Sequence, residues 1–278
     1  MRAIDFHVHL PTVEWIDGSL GPYREAAEAY FRKVVDIRSA EQMAQEYAAN
    51  DIFGVLLGWD AETFTGCPPL RNDDVAAIAK RFPETFVAFA SVDPHKTDAV
   101  NELERAVVEL GMSGGKFHPS MQGFDPSDEQ FFPLWAKAEE LGIPCLFHTG
   151  TSGIGAGMPG GQGIRIDRSH PLLLDPVAAA FPSLRIIMAH FGWPWHMDAI
   201  AIALHKSNVF LEISGWAPRY IPPEVCREMK GRLKGRFLWG SDYPFFNPMR
   251  CLNELQELDL VSDELLYENA RSLLNLQS

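Results

Sequence analysis

No run in these 278 residues approaches the roughly 18 consecutive apolar positions of a membrane-crossing helix, so a spanning protein is not expected. Cysteine is scarce. Cys67, Cys145, Cys226 and Cys251 show neither a C-x-x-C pair nor any other short spacing, which argues against a disulfide framework and for reduced thiols in a cytoplasmic protein. Basic charge is short as well: 24 Lys and Arg face 37 Asp and Glu, a net −13 that speaks against nucleic acid or an anionic membrane surface as partner. The acidity itself needs no reading beyond solubility. Internal repeats, low-complexity tracts and linkers are missing too, so residues 1–278 read as one domain. A cleaved leader is not expected, because the first motif starts at residue 7.

What is present is a regular alternation of short apolar runs and amphipathic stretches. Strands are predicted at 3–9, 53–57, 85–91, 113–118, 144–148, 184–190, 208–214 and 236–240. Helical patterns fill 40–49, 72–81, 99–110, 128–141, 176–181, 195–206, 223–230, 249–258 and 262–274. Strands separated by helices mean parallel βαβ units, and eight of them in a chain of this length predict a TIM-type (β/α)8 barrel, which needs roughly 250 residues. A doubly wound sheet is the alternative. Two connections, 11–38 and 150–169, are long and carry no clear periodicity. Both follow strands at the end where barrel enzymes keep their active sites, and long loops there are commonly functional.

Four segments far apart each deliver a metal-capable side chain at the end of a predicted strand: Asp5-Phe6-His7-Val8-His9, Cys145-Leu146-Phe147-His148, Met188-Ala189-His190 and Trp239-Gly240-Ser241-Asp242. Strand side chains alternate, so Asp5, His7 and His9 are expected to point the same way. Two imidazoles on one strand face, closed by a distant His and Asp, form a site for a divalent cation, and a metal enzyme acting on a small molecule is expected. One such histidine would read as a satisfied core residue; all of them at one barrel mouth do not.

These motifs, with His148-Thr149-Gly150, Ala189-His190-Phe191-Gly192 and Gly240-Ser241-Asp242-Tyr243-Pro244, resemble the amidohydrolase superfamily over nearly the whole chain. The nearest branch is the amidohydrolase-2 group, which includes aminocarboxymuconate semialdehyde decarboxylase and aromatic-acid decarboxylases. The resemblance implies a TIM-type barrel, one catalytic divalent ion (commonly zinc, with manganese, iron or cobalt as alternatives) and frequent pairing into homodimers. It implies His7, His9, His148 and Asp242 as metal ligands and His190 as the acid/base, with Asp242 also able to handle a proton. The reaction it implies is non-oxidative decarboxylation of a small unsaturated or aromatic carboxylic acid. Metal-dependent hydrolysis of a lactone, ester or amide is the alternative.

Strand 4 offers Lys116 and His118 on one face at the mouth. In dinuclear members of the superfamily a carboxylated lysine at this place bridges two metals. The reading preferred here is that Lys116 and His118 bind the carboxylate or oxyanion of a substrate. Gly155-Ala156-Gly157-Met158-Pro159-Gly160 matches G-x-G-x-x-G formally. It lies several residues past its strand among further glycines, so a lid is expected rather than a dinucleotide turn. Arg165 and Arg168 follow it, and Arg165 is the candidate for an anionic substrate. Asp5 is expected one layer behind the metal. His95, His170, His196 and His205 are expected away from the site, Trp193, Trp195, Trp216, Phe245 and Phe246 around its rim, and Glu212 is given no role.

Overall fold

A computed structural model describes residues 2–276. Eight strands form one sheet in the order β1-β2-β3-β4-β5-β6-β7-β8: β1 Ala3–Val8, β2 Ile52–Leu57, β3 Phe86–Ala90, β4 Gly114–Phe117, β5 Cys145–Phe147, β6 Ile186–Met188, β7 Val209–Glu212 and β8 Phe237–Leu238. Every neighbouring pair is parallel. The ends meet where Val8 bridges Tyr243 in parallel and the Phe6 amide donates to the Trp239 carbonyl at 3.0 Å. The expected barrel is therefore observed, with strands up to several residues shorter than their apolar runs. The missing residues are the interesting ones: His148, His190 and Asp242 fall just beyond their strands, in the turns at the mouth.

Two apolar layers hold the barrel. Ile4, Phe6, Val55, Leu57, Phe89, Leu146, Ile187 and Leu238 belong to one buried cluster. Residues from so many strands can meet only inside the barrel. Helix Asn269–Leu274 closes the floor with Ala270, Leu273 and Leu274. Gly114 on β4 makes room for this packing, since a Cβ there would stand 2.4 Å from the Phe89 ring. The larger cluster lies between strands and helices, for example Val75 and Leu103 of helices Asn72–Arg81 and Ala99–Val108.

One expectation fails on β1. Asp5 pairs with Gly54 but Val8 with Leu56, so three steps of β1 match two of β2. Such a bulge shifts the alternation by one residue and re-aims the side chains beyond it. Asp5 consequently turns away from the face of His7 and His9, towards Tyr47 of helix Ala40–Ala49 and Ser241.

The connection over 11–38 is not structureless. It folds as a π-helical turn Glu14–Ser19, a 3-10 turn Gly21–Tyr23 and helix Arg24–Phe31, which ends at Arg32 in the left-handed region (φ 52°). Lys33 donates to the Pro244 carbonyl, and Arg38 donates to the Tyr243 hydroxyl at 3.1 Å and pairs with Glu46. The segment is thus fastened across the β8 turn. The 150–169 connection holds only short 3-10 turns, Pro159–Gly163 and Ile166–Ser169, and six of its glycines have positive φ. No helix follows its glycines directly, so it lacks the strand–turn–helix setting of a dinucleotide site. Among the described residues no helix is long and apolar enough to cross a membrane.

Candidate metal centre

His7, His9, Lys116, His118, His148, His190 and Asp242 all line one cavity at the C-terminal mouth of the barrel. Its tightest part is formed by β1 and the β8 turn. His7 Nε2 stands 3.5 Å from Asp242 Oδ1, and His9 Nε2 stands 3.7 Å from the same oxygen. The Asp242 amide donates to the His7 carbonyl at 3.0 Å, which fixes the turn to the strand. Asp242 (φ 69°), His190 (φ 58°) and Phe191 (φ 41°) adopt left-handed backbone, a conformation that L-residues hold mainly where surrounding structure enforces it.

Behind His7 sits a residue to which the sequence assigned no role. Glu212, fully buried at the end of β7, faces His7 Nδ1 at 3.1 Å. Its two oxygens also accept from the Ser214 amide and, at 2.7 Å, from the Ser214 hydroxyl. Lys116 Nζ, a donor only, stands 3.2 Å from His7 Nε2, so the lone pair of His7 lies on Nε2 and Nδ1–H faces the ionised form of Glu212. His190 is set similarly. Its Nδ1 is 3.1 Å from the Ser214 carbonyl and 2.9 Å from the Ser214 hydroxyl, which places the proton on Nδ1 and the lone pair on Nε2.

Asp5 supports the other side. It accepts from the Ser241 amide (2.7 Å), the Ser241 hydroxyl (2.6 Å), the Tyr47 hydroxyl (2.9 Å) and the His7 amide (3.2 Å). It therefore clamps the residue preceding Asp242, one layer back from the cavity. Burial raises the Asp5 carboxyl to about 6 despite these donors.

The electrostatics follow from burial of many ionisable groups together. Desolvation, followed by the charge of Lys116, holds His7 and His9 well below the ordinary imidazole range and His190 down to about 3. His118 and His148 are held well below it as well, by burial first. Burial pushes Asp242 up to about 7 and Glu212 up to about 8, and it lowers Lys116 to about 8 against the pull of Asp242. The cluster is a set of neutral imidazoles with lone pairs facing a carboxylate, an arrangement that asks for a cation between them.

Among the described residues two groups of atoms lie close enough to share an ion: His7, His9 and Asp242, and His7, His190 and Glu212, each within 4.8 Å. A divalent ion fits the first by its donor set, two imidazole nitrogens and one carboxylate oxygen. The second is the bracing layer just described. His148 joins neither group. It stacks on His118 (3.7 Å between ring centres) beside His190, and its buried Nε2 has no hydrogen-bond partner, nor does His9 Nδ1. Unpartnered buried imidazole nitrogens are costly unless something fills them. Lys116 Nζ, 3.2 Å from His7 Nε2, is the one ammonium in the cavity wall among the described residues.

Arg165 is not brought to this cavity. Its side chain is 63% exposed, paired with Asp167, and lines a separate depression with Arg168 and His95. The guanidinium is held by its own neighbour two residues along and lines a different depression, so the substrate-binding reading for Arg165 is withdrawn. His170, His196 and His205 also lie outside, as does Trp195, which packs on His170 instead. Trp216 and Phe245 do line the cavity. Trp15, Trp59 and Phe31 line it too, without having been expected: Trp15 stacks on His9 at 4.6 Å with rings 4° apart. Trp59 follows Gly58 just past β2 and was open to the same strand-end logic; Trp15 and Phe31 arrive from the fastened 11–38 segment and carry no local signal.

Known proteins resemble the chain in sequence and in fold. The chain is 29% identical over 261 residues to "Decarboxylase orsB" of Emericella nidulans, covering 74% of this chain and 75% of that protein. It is 31% identical over 195 residues to a 2-keto-4-carboxy-3-hexenedioate hydratase of a Sphingobium species, covering 63% and 57%. The crystal structure of an uncharacterized TIM-barrel protein from Bordetella bronchiseptica superposes with a TM-score of 0.80 at 23% identity, over 99% of both chains, and shares the fold. The model of the second amidohydrolase family matches residues 4–276, running from the strand that carries His7 to the helix that plugs the floor, and the chain belongs to that family of enzymes.

Proposed function

We propose that this chain is a divalent-metal-dependent carboxy-lyase that removes carbon dioxide from a small unsaturated or aromatic carboxylic acid. The proposed ligands are His7, His9, His148 and Asp242, with zinc as the ion. The observation that carries the reading is the convergence of His7 Nε2 and His9 Nε2 on Asp242 Oδ1, with the His7 tautomer set by Lys116 and Glu212 behind the ring. Similarity to a named decarboxylase supports the reaction class. A divalent ion bound there supplies Lewis-acid polarisation of the acid's oxygens.

The chain's own residues do the rest. Lys116, buried among the imidazoles, offers the positive charge that draws a carboxylate inward and balances negative charge developing on the substrate. Trp15, Trp59 and Phe245 wall the space with rings and exclude water. His190 is neutral at neutral pH and presents a lone pair on Nε2, so it takes the proton of the substrate's own carboxyl group and then returns it to carbon. When the bond to the departing carboxylate breaks, the electron pair stays on carbon, and that proton closes the valence as carbon dioxide leaves. Hydrolysis of a lactone, ester or amide is the second reading. It is favoured by the same neutral His190, which suits removal of a proton from an attacking water.

The test is a screen of unsaturated and aromatic carboxylic acids and of lactones with metal-loaded protein, reading carbon dioxide release against water addition. Carbon dioxide release is expected. The His190→Asn variant should keep its metal and lose at least ~100-fold in turnover. Undiminished turnover in that variant, or in metal-free protein, would overturn the proposal.

A further inference from the structure

The cavity holding His7, His9 and Asp242 encloses only about 50 Å³. By the same measure the adjoining outer cavity is about 500 Å³, so the inner space is the narrow end of the two. They share Tyr30, Phe31, Gly215 and Trp216 as walls. A group attached to the reacting centre that extends past these shared walls lies in this outer space.

The outer cavity is cationic in a chain of net charge −13. Arg32, Arg219 and Arg250 line it. Arg219 and Arg250 share a single acid, Glu254, at 3.9 and 2.9 Å. The Arg32 guanidinium has no acid partner among the described residues, and its left-handed backbone at the end of helix Arg24–Phe31 fixes where the side chain leaves the helix. Three guanidinium groups thus stand against one carboxylate. Guanidinium is the side chain best matched to a planar carboxylate, and clustered like charge at a cleft raises the local concentration of the opposite one.

Resting on the decarboxylase reading above, we infer that the substrate is an elongated diacid: one carboxylate reacts in the inner chamber, and a second, at the far end of a flat body, is held by Arg32, Arg219 and Arg250. The arginines are solvent-exposed, so screening limits their effect to about tenfold in affinity rather than several decades.

Isothermal titration of metal-loaded protein with 4-carboxycinnamate and with cinnamate tests this. These two probes differ only in the second carboxylate. The diacid is expected to bind about tenfold more tightly, and the ratio should fall to within about twofold in the R32Q/R219Q/R250Q variant. R32Q alone, at a side chain without an ion pair to lose, should reduce the ratio at least twofold, which guards against a fold defect in the triple variant. A wild-type ratio below about twofold, including no binding of either acid, overturns the inference, as does a triple variant that keeps the preference. If the protein also holds no metal on elemental analysis, the underlying reading fails with it; if metal and cinnamate are both bound without preference, only the diacid inference fails.

Discussion

His7 shows how one side chain is made competent. Its ring is neutral because it is buried, its tautomer is set by Lys116 and its lone pair faces Asp242. The same burial raises Asp242 to about 7 and Glu212 to about 8. For carboxylates raised in this way the folded chain keeps protons that the unfolded chain has lost. Their contribution to stability is therefore fully present below the ordinary values of 3.8 and 4.5 and is lost progressively as the pH rises to about 7 to 8. A divalent ion needs Asp242 deprotonated and must displace that proton at the lower pH. The imidazoles, titrating well below 6.5, are neutral throughout this range. The rise in Tm on adding zinc should accordingly be larger at pH 8 than at pH 6; a rise independent of pH, measured by calorimetry at both values, would contradict this account.

Strand ends and the turns after them carry the site, and they were legible to different degrees. All eight strands followed from apolar runs and their spacing, because a buried parallel strand is apolar almost throughout, whereas helix Arg24–Phe31 did not. His148, His190 and Asp242 were visible for the same reason: a polar residue just past such a run marks the mouth. The orientation of Asp5 was not legible, since a bulge depends on how β1 pairs with β2 and leaves no mark in the alternation itself. Glu212 was given no role, because its partner His7 is 205 residues away and only the closed barrel joins them. Arg165 was misread because its charge was counted without its neighbour Asp167. The turn after β7 provides a test at this scale. Gly215 has φ 73°, and an added Cβ would lie 2.6 Å from His190 Nδ1 and 3.2 Å from Asp242 Oδ2. Gly215→Ala should cost ~1–2 kcal/mol of stability for the left-handed backbone and reduce turnover at least tenfold by displacing His190. Unfolding titrations and turnover measure the two effects, and wild-type turnover would show that the His190 position is not critical.

The whole molecule divides its labour along the barrel axis. The mouth gathers buried charge at a cost to stability, while the interior and floor are filled with aliphatic and aromatic side chains that offset it. Leu273, 3% exposed, plugs the floor with Ile4 and Phe53, at the end of the barrel opposite the site. Leu273→Ala should lower stability by ~2–5 kcal/mol through the cavity it leaves, with unchanged metal content in the folded protein. Loss of metal in folded Leu273→Ala would mean that floor and mouth are coupled.

The central claim is that the β1 histidines and the β8-turn aspartate jointly grip one divalent ion. Metal analysis of purified, zinc-reconstituted protein beside His7→Ala and Asp242→Asn, with folding checked by circular dichroism, tests it directly. The account predicts about one ion per wild-type chain and its loss from both folded variants. A full complement of metal in either variant, or none in the wild type after reconstitution, would contradict it.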